Sequence, residues 1–466
     1  MRIVVHDYSG HPGQAQLSRA LARRGHEVTH QHCPSYATGK GSLQVEPGDP
    51  PTLSFEPCAM EGTFAKYSVV TRIRQELSYG RRAARCIAAK DPAVAVISNV
   101  PLLAHSVLAR RLSRCGVPMV FWHQDIYSEA IGSAARRRLP VVGAWVARVA
   151  ARLERTIARR SGAIVAISPT FLDRLATWGV ADKVVVVPNW APIDELPVSD
   201  GDNAWRSRRG LDGHPVVLYS GTLGLKHDPG ILASIAERLG ESHPSARVVV
   251  ISEGKGRDWL EEWKQERGAA ADNLILLDFQ PYAELPAVMG SADVLLAVLE
   301  PDASRFSVPS KVLTYLCSGR AIVGVLPPDN SVAEILLTHG AGLVVRRDDA
   351  ASEVARLLND EACRKAMGRA GRRYAEQAFS PEIAADRFEE VFNDVSAPSA
   401  SAGPDSVLSP DVAPNSVSDG RPVTGRQTVR DLVGPQVDPP IPSSTMGDET
   451  PDNKVTASGP FPHHVG

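Results

Sequence analysis

Short apolar runs alternate with stretches of helical spacing over the first 191 residues of the chain. Between the runs, as over Gln14–Arg24 and Val70–Lys90, apolar residues recur every three or four positions. Strands that alternate with helices form βαβ units and a parallel sheet, so we predict a Rossmann-like domain over residues 1–191. Residues 34–68, rich in Pro, Gly and Ser, are expected to form one long irregular loop. The apolar runs predict strands at Arg2–His6, Glu27–Gln31, Val94–Ser98, Met119–Trp122, Ala163–Ile167 and Lys183–Val187.

A second alternation follows a polar segment that is rich in proline and glycine. This segment, residues 192–215, predicts an interdomain linker with a short helix around Trp205. A second Rossmann-like domain is expected over residues 216–380, followed by a C-terminal helix at 381–395. Its strands are predicted at Val216–Ser220, Ala246–Ile251, Asn273–Leu277, Val294–Val298, Ala321–Val325 and Gly342–Val345. Its helices are predicted at residues 227–239, 256–267, 282–290, 309–318, 330–339 and 361–378.

Composition changes abruptly from residue 396 onward. The segment 396–466 holds 12 of the 36 prolines and almost no aromatic residues, so it is predicted to be disordered. The formal net charge of −2 gives no electrostatic reason to expect a nucleic-acid partner. The chain starts without a signal-peptide pattern, contains no apolar run of spanning length, and has no CxxC pair among its six cysteines. We therefore expect a cytoplasmic protein without a metal site.

Three clusters of arginine lie in the first half of the chain, at residues 81–85, 110–111 and 136–138. Such clusters can dock on anionic lipid headgroups, which would bring the protein to the inner face of the membrane. The alternative is that they form solvated helix faces. Peripheral contact with the membrane therefore stays open.

The segment Ser220–Asp228 carries the first candidate chemistry. It follows a predicted strand and opens a helix, and Gly221 and Gly224 would let a ligand approach the backbone closely. The amino end of a helix attracts phosphate, and Lys226 adds a full positive charge nearby. The alternative is a routine turn with a solvated lysine.

The segment Ser307–Arg320 carries the second candidate chemistry. Ser307 or Ser310 can cap a helix that Pro309 helps to initiate, and Gly319 is placed to end it. This helix should begin at the same sheet edge as the Lys226 loop, and two converging amino ends would make a cradle for a diphosphate. An ordinary βαβ helix is the alternative.

These motifs give the chain a specific resemblance. The segments FWHQDIYSEA, VVVVPNWAPID, SGTLGLKHD, SEGKGR and VPSKVLTYLCSGR resemble those of GT-B fold glycosyltransferases of family 4, the group 1 glycosyl transferases. The resemblance is greatest to the capsule and exopolysaccharide branch, the colanic-acid type. It covers roughly residues 1–395 and is strongest over 216–345. It implies two Rossmann-like domains that face each other across a cleft.

The resemblance also implies an activity, namely transfer of a sugar from a nucleotide diphosphate sugar to a hydroxyl acceptor. Retention of the anomeric configuration is expected, with no metal and no further cofactor, in the synthesis of a surface polysaccharide or glycolipid. The acceptor would be a sugar, a lipid-linked molecule or another small molecule. Lys226 would hold the diphosphate, assisted by backbone N–H groups around Val308–Lys311. The implied donor-binding residues are Gly221, Thr222, Lys226, Glu253, Gly254, Ser307, Val308, Pro309, Ser310, Lys311 and Thr314.

On the acceptor side, the resemblance points to the segment after the strand at Met119–Trp122. His123 is expected to orient the acceptor or contact the donor sugar, and Asp125 to accept a hydrogen bond from the acceptor. The acceptor-binding residues expected after the first strand are Gly10, His11 and Gly13. The alternatives are a structural histidine beside Trp122 and a plain turn at residues 10–13.

One feature departs from the family pattern. Many members carry two glutamates eight positions apart, the second of which contacts the ribose of the nucleotide. The corresponding residues here are Phe306 and Thr314, although Glu300 could replace the first glutamate. A catalytically silent GT-B protein with a binding or assembly role is therefore one alternative. A sugar-nucleotide epimerase of the same fold is another, although acidic residues and histidines placed for proton removal are not evident.

Overall fold

The computed structural model describes residues 1–35, 42–60, 69–138, 140–224, 227–300 and 308–396. Within these ranges the chain contains two parallel sheets, each covered by helices. Most inner strands of the two sheets are apolar runs that are buried on both faces, as expected where helices cover both sides. The predicted α/β architecture of two Rossmann-like halves is therefore confirmed.

The first sheet contains seven parallel strands in the order β3-β2-β1-β4-β5-β6-β7. The strands are β1 (Arg2–Asp7), β2 (Glu27–His32), β3 (Leu53–Pro57), β4 (Val94–Ser98), β5 (Met119–His123), β6 (Ala163–Ala166) and β7 (Val184–Val186). The helices of this half and of the segment after it are α1 (Pro12–Arg23), α2 (Val69–Ala88), α3 (Leu102–Arg114), α4 (Tyr127–Arg138), α5 (Pro140–Arg160), α6 (Leu172–Thr177) and α7 (Ala204–Arg208).

The expectation of an irregular loop over residues 34–68 is wrong at β3. Leu53–Pro57 pairs in parallel with β2 and forms the edge of the first sheet. Only Leu53 of this strand is fully buried, so the run lacks the continuous apolar character of the inner strands. An edge strand ending in proline gives little sequence signal, because its outer side needs no hydrogen-bond partner in the sheet.

The second sheet contains six parallel strands in the order β10-β9-β8-β11-β12-β13. The strands are β8 (Val216–Ser220), β9 (Arg247–Ile251), β10 (Leu274–Leu277), β11 (Val294–Val298), β12 (Ala321–Val325) and β13 (Gly342–Val344). The helices are α8 (Pro229–Ser242), α9 (Lys255–Arg267), α10 (Leu285–Gly290), α11 (Ser310–Cys317), α12 (Ser331–Thr338), α13 (Ala350–Leu358), α14 (Glu361–Ala378) and α15 (Pro381–Ser396). The sequence prediction missed α13.

Both sheets reverse their strand order at one place, between β1 and β4 in the first sheet and between β8 and β11 in the second. Ligands of open parallel sheets bind in the crevice that forms at the carboxyl ends of the strands at such a switch point. The segments after these four strands are therefore the places in the fold where a site is expected.

The C-terminal helix α15 packs on the first half of the chain. Phe388 contacts the ring of Trp122 on β5 edge to face, with 4.8 Å between the ring centroids. At the surface, Arg24 binds Asp386 and Glu389, and Glu389 also accepts a hydrogen bond from His26. The last described helix thus completes the core of the first half.

No helix in the described ranges is both long enough and apolar enough to cross a bilayer.

The packing of α15 on the first half of the chain can be tested by substituting its buried residue Phe388. Phe388→Ala should destabilise the protein by about 3–5 kcal/mol, because a fully buried ring is removed from a packed core. Ile383→Ala on the same helix, where the side chain is 55% exposed, should change stability by about 0.5 kcal/mol or less. Urea unfolding followed by tryptophan fluorescence measures both, and equal effects would argue against this packing.

Candidate functional site

The segment after β8 forms a tight turn at the switch point of the second sheet. Gly221 has φ +138°, a conformation that side chains rarely adopt, and a Cβ atom there would lie 3.1 Å from Cε of Lys311. The turn is held by its neighbours: the Leu223 N–H donates to Ser252 Oγ at 3.0 Å, and the Gly256 N–H donates to the Leu223 carbonyl at 3.2 Å. The segments that follow β8 and β9 therefore form one connected surface.

Helix α11 begins at this same place. Pro309 is its N-cap residue, and no side chain of the described residues caps the helix. The expectation that Ser310 caps the helix is therefore wrong: Ser310 is its first residue, and its side chain is exposed. Ser307 lies outside the described residues. With no cap from the residues that the structure describes, the N–H groups of the first turn keep their capacity to bind an anion.

Tyr315 ties α11 to the end of β8. Its hydroxyl accepts a hydrogen bond from the Ser220 N–H at 2.9 Å and donates one to the Ser220 carbonyl at 3.0 Å. The side chain is fully buried, and burial raises the pKa of the phenol. A neutral hydroxyl that both donates and accepts satisfies both polar groups of one backbone residue. Tyr315 was absent from the predicted site residues, because a tyrosine inside a helix gives no sign of a partner in a distant strand.

Lys311 lies one helical turn before Tyr315 and points toward the same strand end. Its Nζ donates a hydrogen bond to the Tyr219 hydroxyl and lies 4.0 Å from the centroid of the Tyr219 ring. It forms no ion pair with an acidic side chain in the described part of the chain. Burial lowers the pKa of the amine from 10.5 to about 7. An ammonium group without an anionic neighbour is well suited to accept an anionic ligand.

The other predicted donor residues around Lys311 differ in how far they are buried. Thr222 and Glu253 are exposed at the rim, and Gly254 lies close to the Leu223 carbonyl. Val308 is half-buried, as is Thr314, whose hydroxyl makes no hydrogen bond with the described residues. Lys226 lies outside the described residues, so its contribution stays a prediction. The structure thus brings the β8 turn, the β9 turn and the start of α11 together.

At the switch point of the first sheet, Asp7 organises the turn that contains Gly10 and His11. Its fully buried carboxylate accepts hydrogen bonds from the His11 N–H at 2.6 Å, the Ser9 N–H at 3.2 Å and the Asn99 side chain at 2.8 Å. Burial outweighs these bonds and raises the pKa of the carboxyl group. Asp7 and Asn99 were absent from the sequence prediction.

The same turn presents its glycines and histidine at the carboxyl edge of the sheet. Gly10 has φ +73°, which a glycine adopts without strain. His11 and Gly13 are half-buried, and Gly13 lies beside Trp190. Gly10, His11 and Gly13 therefore lie at the carboxyl edge of the first sheet, and their part in acceptor binding stays a prediction.

His123, at the end of β5, is fully buried in contact with Phe121 and Phe171. Its Nε2 lies 3.3 Å from Glu154 Oε1. Glu154 also accepts hydrogen bonds from the N–H groups of Tyr127 and Ser128 at the start of α4. Asp125 is half-buried in the turn between β5 and α4. The sequence analysis did not find Glu154, which lies 31 residues from its histidine.

The buried amine of Lys311 leads to a prediction about stability. Between pH 7 and 10.5 the unfolded chain holds a proton that the folded chain lacks, so Lys311 lowers stability fully at pH values below about 7 and the loss fades as pH rises toward 10.5. Lys311→Met should therefore be more stable than the wild type at pH 7, with a smaller gain at pH 9. Lys365→Met, at an exposed position, is the matched control. Urea unfolding at the two pH values measures the difference, and an equal or reversed gain would contradict the burial of this amine.

Each half of the fold matches a known family model. Residues 11–190 match the family model described as glycosyl transferase 4-like domain, and residues 202–374 match that of glycosyl transferases group 1. A protein named as a colanic acid biosynthesis glycosyl transferase, WcaI of Escherichia coli K12, is 29% identical over 232 residues, which cover 48% of this chain and 55% of that protein. YtcC of Bacillus subtilis 168, named as a glycosyltransferase, is 22% identical over 251 residues, which cover 50% of this chain and 59% of that protein.

The chain thus spans a little over half the length of these curated relatives. Among solved structures, Anabaena HepE in complex with UDP and glucose superposes with a TM-score of 0.61 at 16% identity, covering 84% of this chain and 99% of that one. At this identity the superposition shows the GT-B fold alone. The two family models account for most of the chain, one for each Rossmann-like half, and the chain belongs to the group 1 glycosyl transferases.

Proposed function

We propose that the chain transfers a sugar from a nucleotide diphosphate sugar to a hydroxyl acceptor, with retention of configuration. The observation that supports this most is the Lys311 amine, which lies against Gly221 beside the start of α11. A glycine that lets the backbone approach, a helix amino end and an ammonium without a carboxylate partner among the described residues together suit a diphosphate.

In the proposed reaction, these groups act as a cradle for the diphosphate, which is the leaving group. When the bond between the anomeric carbon and the phosphate oxygen breaks, negative charge develops on the diphosphate. Lys311 and the N–H groups at the start of α11 would stabilise that charge, and Lys226 would add a second cation. The acceptor oxygen forms the new bond on the same face of the sugar, and its proton leaves to a neighbouring base. Thr314 would contact the ribose.

Two relatives support the choice of donor and process. HepE was crystallised with UDP and glucose, and WcaI is named for colanic acid biosynthesis. By analogy, the donor of this chain is a nucleotide diphosphate sugar, and the product belongs to a surface polysaccharide or glycolipid. No metal ion or nucleic acid is part of this proposal.

On the acceptor side, we assign the turn of Gly10, His11 and Gly13 to binding and Asp125 to a hydrogen bond with the acceptor hydroxyl. The catalytic role of His123 stays a prediction. Because its ring is buried and bonded to Glu154, a direct role needs the ring to become accessible when substrates bind. A positioning role, in which His123 and Glu154 hold the start of α4, needs no such change.

A catalytically silent GT-B protein is the second candidate, because Thr314 replaces the usual ribose-binding glutamate. Release of free nucleoside diphosphate separates the two functions. We expect release when a donor from a panel of nucleotide sugars meets a sugar or lipid-linked acceptor, with EDTA leaving the rate unchanged. Donor binding without release for every acceptor would favour the silent protein. Neither binding nor release across the panel would overturn both.

The two lysines of the cradle can be tested by binding alone. Lys226→Ala and Lys311→Met should each weaken UDP or GDP binding at least about tenfold, because charge-assisted contacts with phosphate contribute roughly 1.5–3 kcal/mol. Calorimetry at pH 7 measures this. Lys365→Met and removal of residues 396–466 should leave the affinity unchanged. Unchanged affinity in either cradle variant would remove that lysine from the site.

A further inference from the structure

Helices α4 and α5 form a hairpin that packs through small residues. A Cβ atom on Gly143 would lie 2.4 Å from the backbone of Ala135, and one on Gly132 would lie 3.0 Å from Cβ of Ala147. The two helices therefore approach most closely where neither has a large side chain. Their mutual contact leaves no room for bulky apolar residues between them.

Several large apolar side chains of this hairpin face outward, whereas Ile157 and Leu153 of α5 pack on the core. Val141 is 86% exposed, Val142 55% and Trp145 64%, and Val149 and Ile131 are also exposed. In a helix that only covers a sheet, such residues face the core and polar residues face water. A cluster of exposed apolar residues that includes tryptophan marks a surface that contacts a membrane or another protein.

Arginines continue this surface along α5. Arg148, Arg152 and Arg155 are exposed on the turns that follow Trp145, and none forms an ion pair with a residue in the described ranges. At helical spacing, Val141, Trp145, Arg148 and Arg152 fall on one stripe. The only acidic residue of α5 is Glu154, which is fully buried. The exposed charge of α5 is therefore entirely positive.

The position of the hairpin follows from Glu154. This residue holds the start of α4 next to the end of β5, so it marks the level of the carboxyl edge of the first sheet. From Glu154 back to Val141, α5 extends about 20 Å along its axis. It runs antiparallel to the strands, so its first turns project beyond the same edge that carries the Gly10–His11 turn.

We propose that the hairpin face, formed by Ile131, Val141, Val142, Trp145 and Val149 with Arg148, Arg152 and Arg155, docks on an anionic lipid bilayer. Apolar side chains at the tip would enter the headgroup region, where tryptophan is favoured. The arginines would meet lipid phosphates. A second copy of the chain fits less well, because an isologous contact would bring the arginines of both copies together.

Docking itself assumes nothing about the donor or the reaction. Combined with the proposed function, it selects a class of acceptor, since the acceptor edge of the first sheet would face the bilayer. The acceptor would then be a hydroxyl of a lipid-borne molecule. Vesicle binding without nucleotide tests the docking surface, whereas UDP binding without vesicles tests the donor site, so failure of one is distinguishable from failure of the other.

The experiment is flotation of the full chain with vesicles of phosphatidylcholine alone or mixed with phosphatidylglycerol. The wild type should bind the anionic vesicles, and binding should weaken with salt. Val142→Ser/Trp145→Ser should reduce the partition coefficient at least about tenfold. Arg148→Gln/Arg152→Gln/Arg155→Gln should remove most of the preference for anionic lipid, by about fivefold per arginine. Trp259→Ser, at a half-exposed tryptophan of α9, is the matched control and should bind like the wild type.

Because all substituted side chains are exposed, the variants should keep the wild-type unfolding midpoint and UDP affinity. The proposal is overturned if the wild type does not float with anionic vesicles, or if Val142→Ser/Trp145→Ser floats equally well. It is also overturned if the wild type forms a dimer that this double variant abolishes while vesicle binding persists, since the face would then be a contact between copies.

Discussion

The hydroxyl of Tyr315 holds the candidate donor site together, because it joins the start of α11 to the end of β8 through both backbone groups of Ser220. Lys311 lies four residues earlier on the same helix face, so this junction directs its amine over Tyr219 and against Gly221. Burial of that amine costs stability, and the turn needs a glycine. Both features are understandable if an anion completes the site.

In the first half of the chain, buried carboxylates fix the backbone at strand ends, as the phenol of Tyr315 does in the second half. Asp7 fixes the turn after β1 through two backbone N–H groups, and Glu154 fixes the start of α4 after β5. In both halves, one buried polar side chain determines the path of the backbone where a strand ends. The segments at the two switch points are thereby held in place before any substrate arrives, which reduces the ordering cost of binding.

Most strands could be predicted from the sequence because inner strands of parallel sheets are continuous apolar runs, and β4, β8, β11 and β12 lie where the runs do. The edge strand β3 lacks such a run and was missed. For the site, the residue types glycine, serine and lysine at a helix start indicated phosphate binding. The residues that hold these site segments in place could not be predicted, because their partners are distant in sequence. Tyr315 lies 95 residues from Ser220, and Asp7 lies 92 residues from Asn99. Only the fold brings such pairs together.

In the proposed function, an anionic donor completes the environment of Lys311. Calorimetric titration of UDP at pH 8, in two buffers with different ionisation enthalpies, measures the protons taken up on binding. The free amine has a pKa of about 7 and is mostly neutral at this pH, so a bound diphosphate should draw in a net amount approaching one proton. We predict that Lys311→Met binds UDP more weakly and takes up none. Binding of UDP to the wild type without proton uptake, or with the same uptake in the variant, would contradict the claim.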